Sequence, residues 1–326
     1  MFDTFAPVAS WQSIQFMLVF SIINGWETCV IDFDQAFVQA TLDEPIWIHL
    51  PRGFTSSRNK PTCLRLVKSL YGISTAPKLW YQHMIKAFKA LGFKETEQDP
   101  CFLYRKDCLI VVYVDDVGIA APNQGIIDQL CEDLRSKPHN LLLSQEGKFE
   151  KFLGIMFEKQ DDGAISCSQP GLIKKILDAT SMHDCKVNST PCTQTALGSD
   201  PDGAPMKETW NYASVVGMLL YLSTNTRTDI SYAVSQVARF TTKPKQSHAT
   251  AVKSIICYLA GTINKGMILR PTSSMDINAY VDADFAGLYG QEPDDNVQAA
   301  QSRTGYVITI AKCPMLWKSQ LQSEVA

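Results

Sequence analysis

A surplus of basic residues is missing. Lys and Arg number 30 against 33 Asp and Glu, for a formal net charge of −3. Proteins that hold nucleic acid mainly by its phosphates carry the opposite balance, so the composition argues against a strong nucleic-acid binder unless basic residues cluster on one face. Metal-site cysteine spacing is missing too. The ten cysteines include no Cys-x-x-Cys pair. The closest spacings, Cys101 with Cys108 and Cys185 with Cys192, match no zinc site, and no nearby His pair completes one. They read as reduced, buried thiols of an intracellular protein. Membrane-length apolar runs are absent: Ile14 to Ile23 is interrupted by Gln15 and Ser21, is too short to span a bilayer and reads as a buried helix. No signal peptide and no internal repeat is visible. What remains is ordinary: 326 residues, 45% hydrophobic and 19% charged, with a core large enough for two domains.

Periodicity and punctuation place the elements. Residues 10–25 read as a helix capped by Ser10 and ended at Asn24-Gly25. Residues 27–33 read as a strand, and Ile46 to Leu50 as a second, stopped by Pro51. Leu79, Trp80, Met84, Ala87, Phe88 and Leu91 recur at helical spacing after Pro77. Residues 109–121 hold two apolar β-type runs around Asp115-Asp116, the pattern of a hairpin. A helix at 124–136 and a strand at 149–158 follow. Residues 189–207 read as a linker. Helices are expected near 208–224, 229–240 (capped by Asp229) and 247–260 (stopped by Gly261), then β segments at 276–282, 304–311 and 314–317.

Asp115 and Asp116 carry the chemistry. Adjacent carboxylates between apolar strands repel each other and resist ionising without a cation. Mg²⁺ suits them, because it prefers carboxylate oxygens and keeps waters that a phosphate can replace. Asp is also a good turn former, so the pair alone fits a solvated turn. Asp32 shifts that balance. It ends another β-type strand, and if the strands are neighbours three acids meet at one sheet end, the equipment of a two-metal phosphoryl-transfer site. Taken alone, Asp32 also fits a strand-end turn residue.

A run of ordered motifs extends this. Phe5-Ala6-Pro7-Val8, Asp32 to Phe37 as Asp-x-x-x-Ala-Phe, Pro51-Arg52-Gly53-Phe54, Lys68-Ser69-Leu70-Tyr71-Gly72 with Ala76-Pro77 and Trp80, Tyr113-Val114-Asp115-Asp116, and Phe152-Leu153-Gly154 follow one another. In this order they resemble the reverse transcriptase of Ty1/copia-type LTR retrotransposons, along the whole chain. The resemblance implies catalytic and metal-binding roles for Asp32, Asp115 and Asp116 with two Mg²⁺ ions, or Mn²⁺ in their place. It implies nucleotide contacts at Phe37 (the aromatic gate against a 2′-hydroxyl), Lys68 and Thr75, and primer-side positions at Tyr113, Phe152, Leu153 and Gly154. Core packing for Phe37, a plain strand aromatic for Tyr113 and a solvated surface position for Lys68 stay open. The family's Lys-Gln is Ser74-Thr75 here, and Asp34 adds negative charge beside Asp32.

Tyr221-Leu222, Thr226 to Ile230, and His248 leading to Tyr258-Leu259-Ala260-Gly261-Thr262 resemble the family's connecting region; His248 itself reads as a helix-start residue. Tyr280 to Gly287, Ser302 to Tyr306 and Trp317-Lys318-Ser319 resemble the start of its RNase H domain, with Asp282 at the first metal-binding carboxylate. The family's upstream fingers and its next RNase H glutamate fall outside this sequence, so RNase H cleavage is not expected.

The implied fold class is α+β: a palm-type antiparallel sheet with packed helices (a partial fingers-palm-thumb polymerase), followed by a truncated RNase H-like domain. The implied domains are 1–188, palm with partial fingers; 189–270, linker and helical thumb or connection; and 271–326, the RNase H-like part. The implied activity is RNA-directed DNA polymerase. The implied partners are an RNA or DNA template with primer, deoxynucleoside triphosphates and the remainder of the Pol polyprotein, with no membrane, in a cytoplasmic particle or the nucleus. A catalytically inactive remnant and a non-catalytic nucleic-acid-binding module are the competing readings.

Overall fold

A computed structural model describes residues 4–54, 63–193, 195–290, 292–293 and 296–325. The chain divides into two compact units, with the boundary between Phe149 and Glu150.

The first unit opens with α1 (Trp11–Asn24). The Ser10 hydroxyl accepts from the Ser13 N–H at 3.1 Å, and Gly25 leaves the helix at φ 62°, where a side chain would be strained. Strand β1 (Glu27–Asp32), the short α2 (Ala36–Gln39), and the paired β2 (Trp47–His49) and β3 (Cys63–Arg65) follow. Next comes α3 (Ala76–Ala90), started by Pro77 and burying Leu79, Trp80, Met84, Ile85, Ala87 and Phe88. Then come β4 (Lys94–Glu95), β5 (Phe102–Arg105), β6 (Cys108–Tyr113), β7 (Asp116–Ala121), α4 (Gln124–Arg135) and β8 (Ser144–Lys148). The sheet order is β4-β5-β6-β7-β1-β8, antiparallel throughout.

Strands β6 and β7 form the expected hairpin, but its turn is Val114-Asp115, and Asp116 is the first residue of β7. The hairpin is the middle of the core: Ile110, Val111, Val112, Val117 and Ile119 are fully buried. Gly118 lies where nothing larger fits, because a Cβ there would meet the Phe149 ring at 2.5 Å and Val111 Cγ2 at 2.8 Å. Strand β8 was not foreseen. Its sequence, Ser-Gln-Glu-Gly-Lys, is polar and exposed, and it is held to β1 by backbone pairing.

The second unit holds β9 (Lys151–Phe152), β10 (Ile155–Lys159), β11 (Ile165–Ser168), α5 (Pro170–Thr180), α6 (Tyr212–Asn225), α7 (Ser231–Ala238), α8 (Gln246–Ala260), β12 (Met267–Leu269), β13 (Ile277–Ala283), β14 (Gln301–Ile310) and β15 (Cys313–Val325). Its sheets run β12-β11-β10-β9 and β13-β14-β15, both antiparallel. Helices α5 to α8 share one apolar core around Ile176, Val216, Leu219, Val234 and Ile256. The expected α+β class holds at this level.

Two local expectations are corrected here. The strand expected at 149–158 is a hairpin, because Leu153 (φ 53°) and Gly154 (φ 75°) turn the chain between β9 and β10. Asp229 does not cap α7. It sits in a 3-10 turn, Thr228–Ile230, and accepts from Arg227 Nε at 3.0 Å, Arg227 Nη2 at 2.8 Å and the Tyr258 hydroxyl at 2.7 Å. The helix-start reading of His248 stands: its Nδ1 accepts from the Lys245 N–H at 2.9 Å, and its ring stacks on Phe240 at 3.8 Å. All ten cysteines are free, and six are buried. Among the described residues, no helix is long and apolar enough to cross a membrane.

Gly118→Ala is expected to destabilise the first unit by about 1–3 kcal/mol through overpacking. Denaturant unfolding of parent and variant checks this; an equal midpoint would contradict the packing account.

Candidate active site

The register of β1 against β7 sets the site. Asp32 is the direct partner of Asp116. One residue further on, the Phe33 N–H donates to the Asp115 carbonyl at 3.1 Å. That bond makes Phe33–Asp115 a hydrogen-bonded pair, so Asp32–Asp116 is the adjoining non-hydrogen-bonded pair, in which side chains come closest, with Cα atoms about 4.5 Å apart. Directly opposed residues share a face of the sheet. The two carboxylates therefore leave the same face, with Asp115 beside them in the turn.

Electrostatics follow from that placement. Burial, then the charges of Asp115, Asp32 and Glu146, push the Asp116 carboxyl up to about 6. Burial, then Asp115, Glu146 and Asp34, also raise Asp32. The added negative charge expected from Asp34 is thus felt at Asp32. Glu146 was not foreseen. Between Val30 and Ile31 the β1–β8 register slips, pairing Val30 with Gly147 and Ile31 with Gln145 and leaving Glu146 in a bulge. The signal in the sequence was Gly147, which follows it at φ 99°.

The other expected positions of the first unit lie on or next to α2, β3, α3 and β6. Phe37 on α2 is half-buried against Tyr71, ring centroids 4.7 Å apart. Lys68 donates from Nζ to the Gln39 carbonyl at 2.8 Å, so its ammonium has a protein partner. Gln39, which sequence reasoning passed over, donates from Nε2 to the carbonyls of Asp34 (2.7 Å) and Leu142 (2.9 Å) and accepts the Leu142 N–H at 2.8 Å. It ties the segment after Asp32 to the chain entering β8. Thr75 precedes α3 and lines a cavity of about 370 Å³ with Ser74, Lys78, Asp43, Glu44 and Ile46. Tyr113 is half-buried opposite Asp116.

Phe152, Leu153 and Gly154 belong to the second unit. Phe152 is buried, and the Leu153 carbonyl accepts from the Tyr221 hydroxyl at 2.9 Å. Asp282, also there, is exposed on β13 opposite Gly305.

Residues 1–194 match the family described as reverse transcriptase (RNA-dependent DNA polymerase). The chain belongs to that family. Its relatives include copia-type Pol polyproteins that match it along most of its length. It is 31% identical over 327 residues to the retrovirus-related Pol polyprotein from transposon RE1 of Arabidopsis thaliana, covering 99% of this chain and 21% of that protein. It is 30% identical over 294 residues to the putative transposon Ty5-1 protein of Saccharomyces cerevisiae, covering 89% and 92%. Against the Pol polyprotein from transposon TNT 1-94 of Nicotiana tabacum it is 30% identical over 336 residues, covering 99% and 24%. The chain thus spans about a fifth of the RE1 polyprotein and most of the Ty5-1 protein. A telomerase structure from Candida albicans, in complex with a fragment of telomeric RNA, superposes with a TM-score of 0.31 at 11% identity, covering 79% of this chain and 55% of that one. At that score the likeness adds nothing to the fold.

The raised Asp116 carboxyl has a consequence for metal-free protein. Its folded-state pKa lies above the ordinary carboxylate value, so its stabilising contribution is complete at low pH and is lost as pH rises through about 6. Melting of parent and Asp116→Asn in chelator from pH 4.5 to 7.5 should show the Asn variant gaining on the parent as pH rises. A difference that does not vary with pH would contradict the repulsion.

Proposed function

We propose that this reverse transcriptase domain performs templated nucleotidyl transfer, with Asp32, Asp115 and Asp116 as its catalytic and metal-binding carboxylates. The observation that carries this is the Asp32–Asp116 register pair, which sets two desolvated, mutually repelling acids on one sheet face beside a third. Among the described residues, no group of three or more His, Cys, Asp or Glu side chains is drawn tightly enough to hold a metal ion on its own. The donor chemistry still fits Mg²⁺, which is commonly held by one or two carboxylates together with substrate phosphates rather than by a closed protein cage. When bound, Mg²⁺ (two ions, or Mn²⁺ in their place) would neutralise these acids and supply charge to the attacking and leaving oxygens of the phosphoryl group.

The chain's own residues do the positioning. The β1–β7 register aims Asp32 and Asp116 at one place, and the two-residue turn presents Asp115 next to them. Phe37, whose ring packs at a tilt against Tyr71, would stand against the sugar of an incoming deoxynucleoside triphosphate, and Thr75 and Lys68 would meet its other groups. Tyr113, and Phe152-Leu153-Gly154 in the second unit, would serve the primer side, as their resemblance to the family's motifs implies. The attacking group would be the primer 3′-hydroxyl, on an RNA or DNA template. Residues 1–188 would serve as palm and fingers, 189–270 as linker and thumb or connection, and 271–326 as an RNase H-like part carrying Asp282. The remainder of a Pol polyprotein is the expected partner, inside the cell.

A second reading, a fold kept without activity, is favoured by one observation: Ser74-Thr75 stands where the motif the chain resembles has Lys-Gln.

Primer extension with Mg²⁺ separates the two. The parent should extend a primed template. A metal supplies several kcal/mol at such a transition state, so Asp115→Asn should lower the rate by roughly 100-fold or more. No extension by the parent would leave the inactive reading; equal extension by both proteins would remove the carboxylates from the mechanism.

A further inference from the structure

The turn that carries Asp115 is one its own sequence does not favour. Two-residue hairpin turns place positive φ at their first central position, where Gly, Asn or Asp are usual. Here that position is Val114, at φ 61°. A β-branched residue in that region is a true outlier and persists only where its surroundings impose it.

Two donors from different elements hold it. The Phe33 N–H, just past β1, donates to the Asp115 carbonyl at 3.1 Å. The Trp80 indole N–H, on α3, donates to the Val114 carbonyl at 2.8 Å. Consecutive carbonyls of the turn are thus gripped from two sides. Trp80 is 1% exposed, and its ring meets Phe33 edge-on with centroids 5.1 Å apart. It has little freedom to follow the turn if the turn moves. Both donors belong to one assembly, because the ring that holds the Val114 carbonyl packs on the residue that holds the Asp115 carbonyl.

We propose that Trp80 is a positioning residue for the transfer reaction: its indole N–H fixes the strained Val114-Asp115 turn and so sets Asp115 and Asp116 against Asp32. This rests on the reading of those acids as the catalytic carboxylates. Trp80 touches no reacting atom and acts through the turn. A buried Trp finds a partner for its N–H as a rule; what is particular here is that the partner is the carbonyl of a residue the turn would otherwise expel.

Trp80→Phe keeps an apolar ring and deletes the donor. Hydrogen exchange at the Phe33 amide, whose partner is the Asp115 carbonyl, should speed up by roughly 10- to 100-fold, as for one lost buried hydrogen bond. The amide of Ile119, deep in β7, should keep its protection. In primer extension, kcat should fall by a similar factor while the KM for primed template stays within about twofold, as for an interaction that acts in the transition state alone. Val114→Gly removes the positive-φ strain, so Trp80→Phe should have a smaller effect in that background, a non-zero coupling in the double-mutant cycle.

Unchanged Phe33 exchange in Trp80→Phe overturns the proposal. So does faster exchange spread evenly to Ile119, or an equal effect of Trp80→Phe in the parent and in the Val114→Gly background, since each is what simple loss of core packing would give. The exchange measurement needs no catalysis. A parent that fails to extend primers while Phe33 responds as described sinks the polymerase reading and leaves the turn clamp standing; a parent that extends, with no response at Phe33, does the reverse.

Discussion

The antiparallel register of β1 with β7 is the constraint on which the site depends. A slip of one residue would send Asp32 to the opposite face of the sheet and separate it from Asp116. What prevents the slip is apolar. Val30 and Ile31 on β1, and Val117 and Ile119 on β7, are all buried, so both faces of the pair are specified by packing. Gly118, opposite Val30, lets the strands pack this closely, because Val111 and Phe149 fill the space a Cβ would need. The polar chemistry at the strand ends is an outcome of hydrophobic matching several residues away.

The same frame explains why the acids are uncomfortable. Burial at the sheet end disfavours the ionised forms of Asp32 and Asp116, and the charge of Asp115 adds to this at both, with Glu146 contributing from the bulge in β8. Such a cluster is unfavourable for a free-standing fold. It is suited to a ligand set whose charge is completed by a cation and a phosphate. The cost is local, and the buried hairpin core that surrounds it can hold it.

Much of this was legible in the sequence because it is written in periodicity. The α1 cap at Ser10, the α3 face from Leu79 to Phe88, and the two apolar runs around Asp115-Asp116 each follow from local spacing, and the structure has them. The ordered motifs pointed to the reverse transcriptase family, which the match over residues 1–194 shows. What escaped depends on partners distant in the chain. Strand β8 has no apolar pattern and is defined by backbone pairing with β1. The break at Leu153-Gly154 needs two consecutive positive φ values that apolar composition does not reveal. Gln39 matters through Leu142, 103 residues away, and Trp80 through Val114, 34 residues away. Trp80 looks like any core residue of an amphipathic helix; its hydrogen bond to a turn carbonyl is invisible to periodicity.

The most direct test of the central claim, that register forces Asp32 and Asp116 to share one desolvated face, is the titration of Asp116 itself. Its side-chain carboxyl ¹³C shift can be followed against pH with and without Mg²⁺. A midpoint near 6 is expected in chelator, with a lower midpoint when Asp32 is changed to Asn and a downward shift on adding Mg²⁺. A midpoint in the ordinary range near 4, insensitive to Asp32→Asn and to the ion, would contradict it.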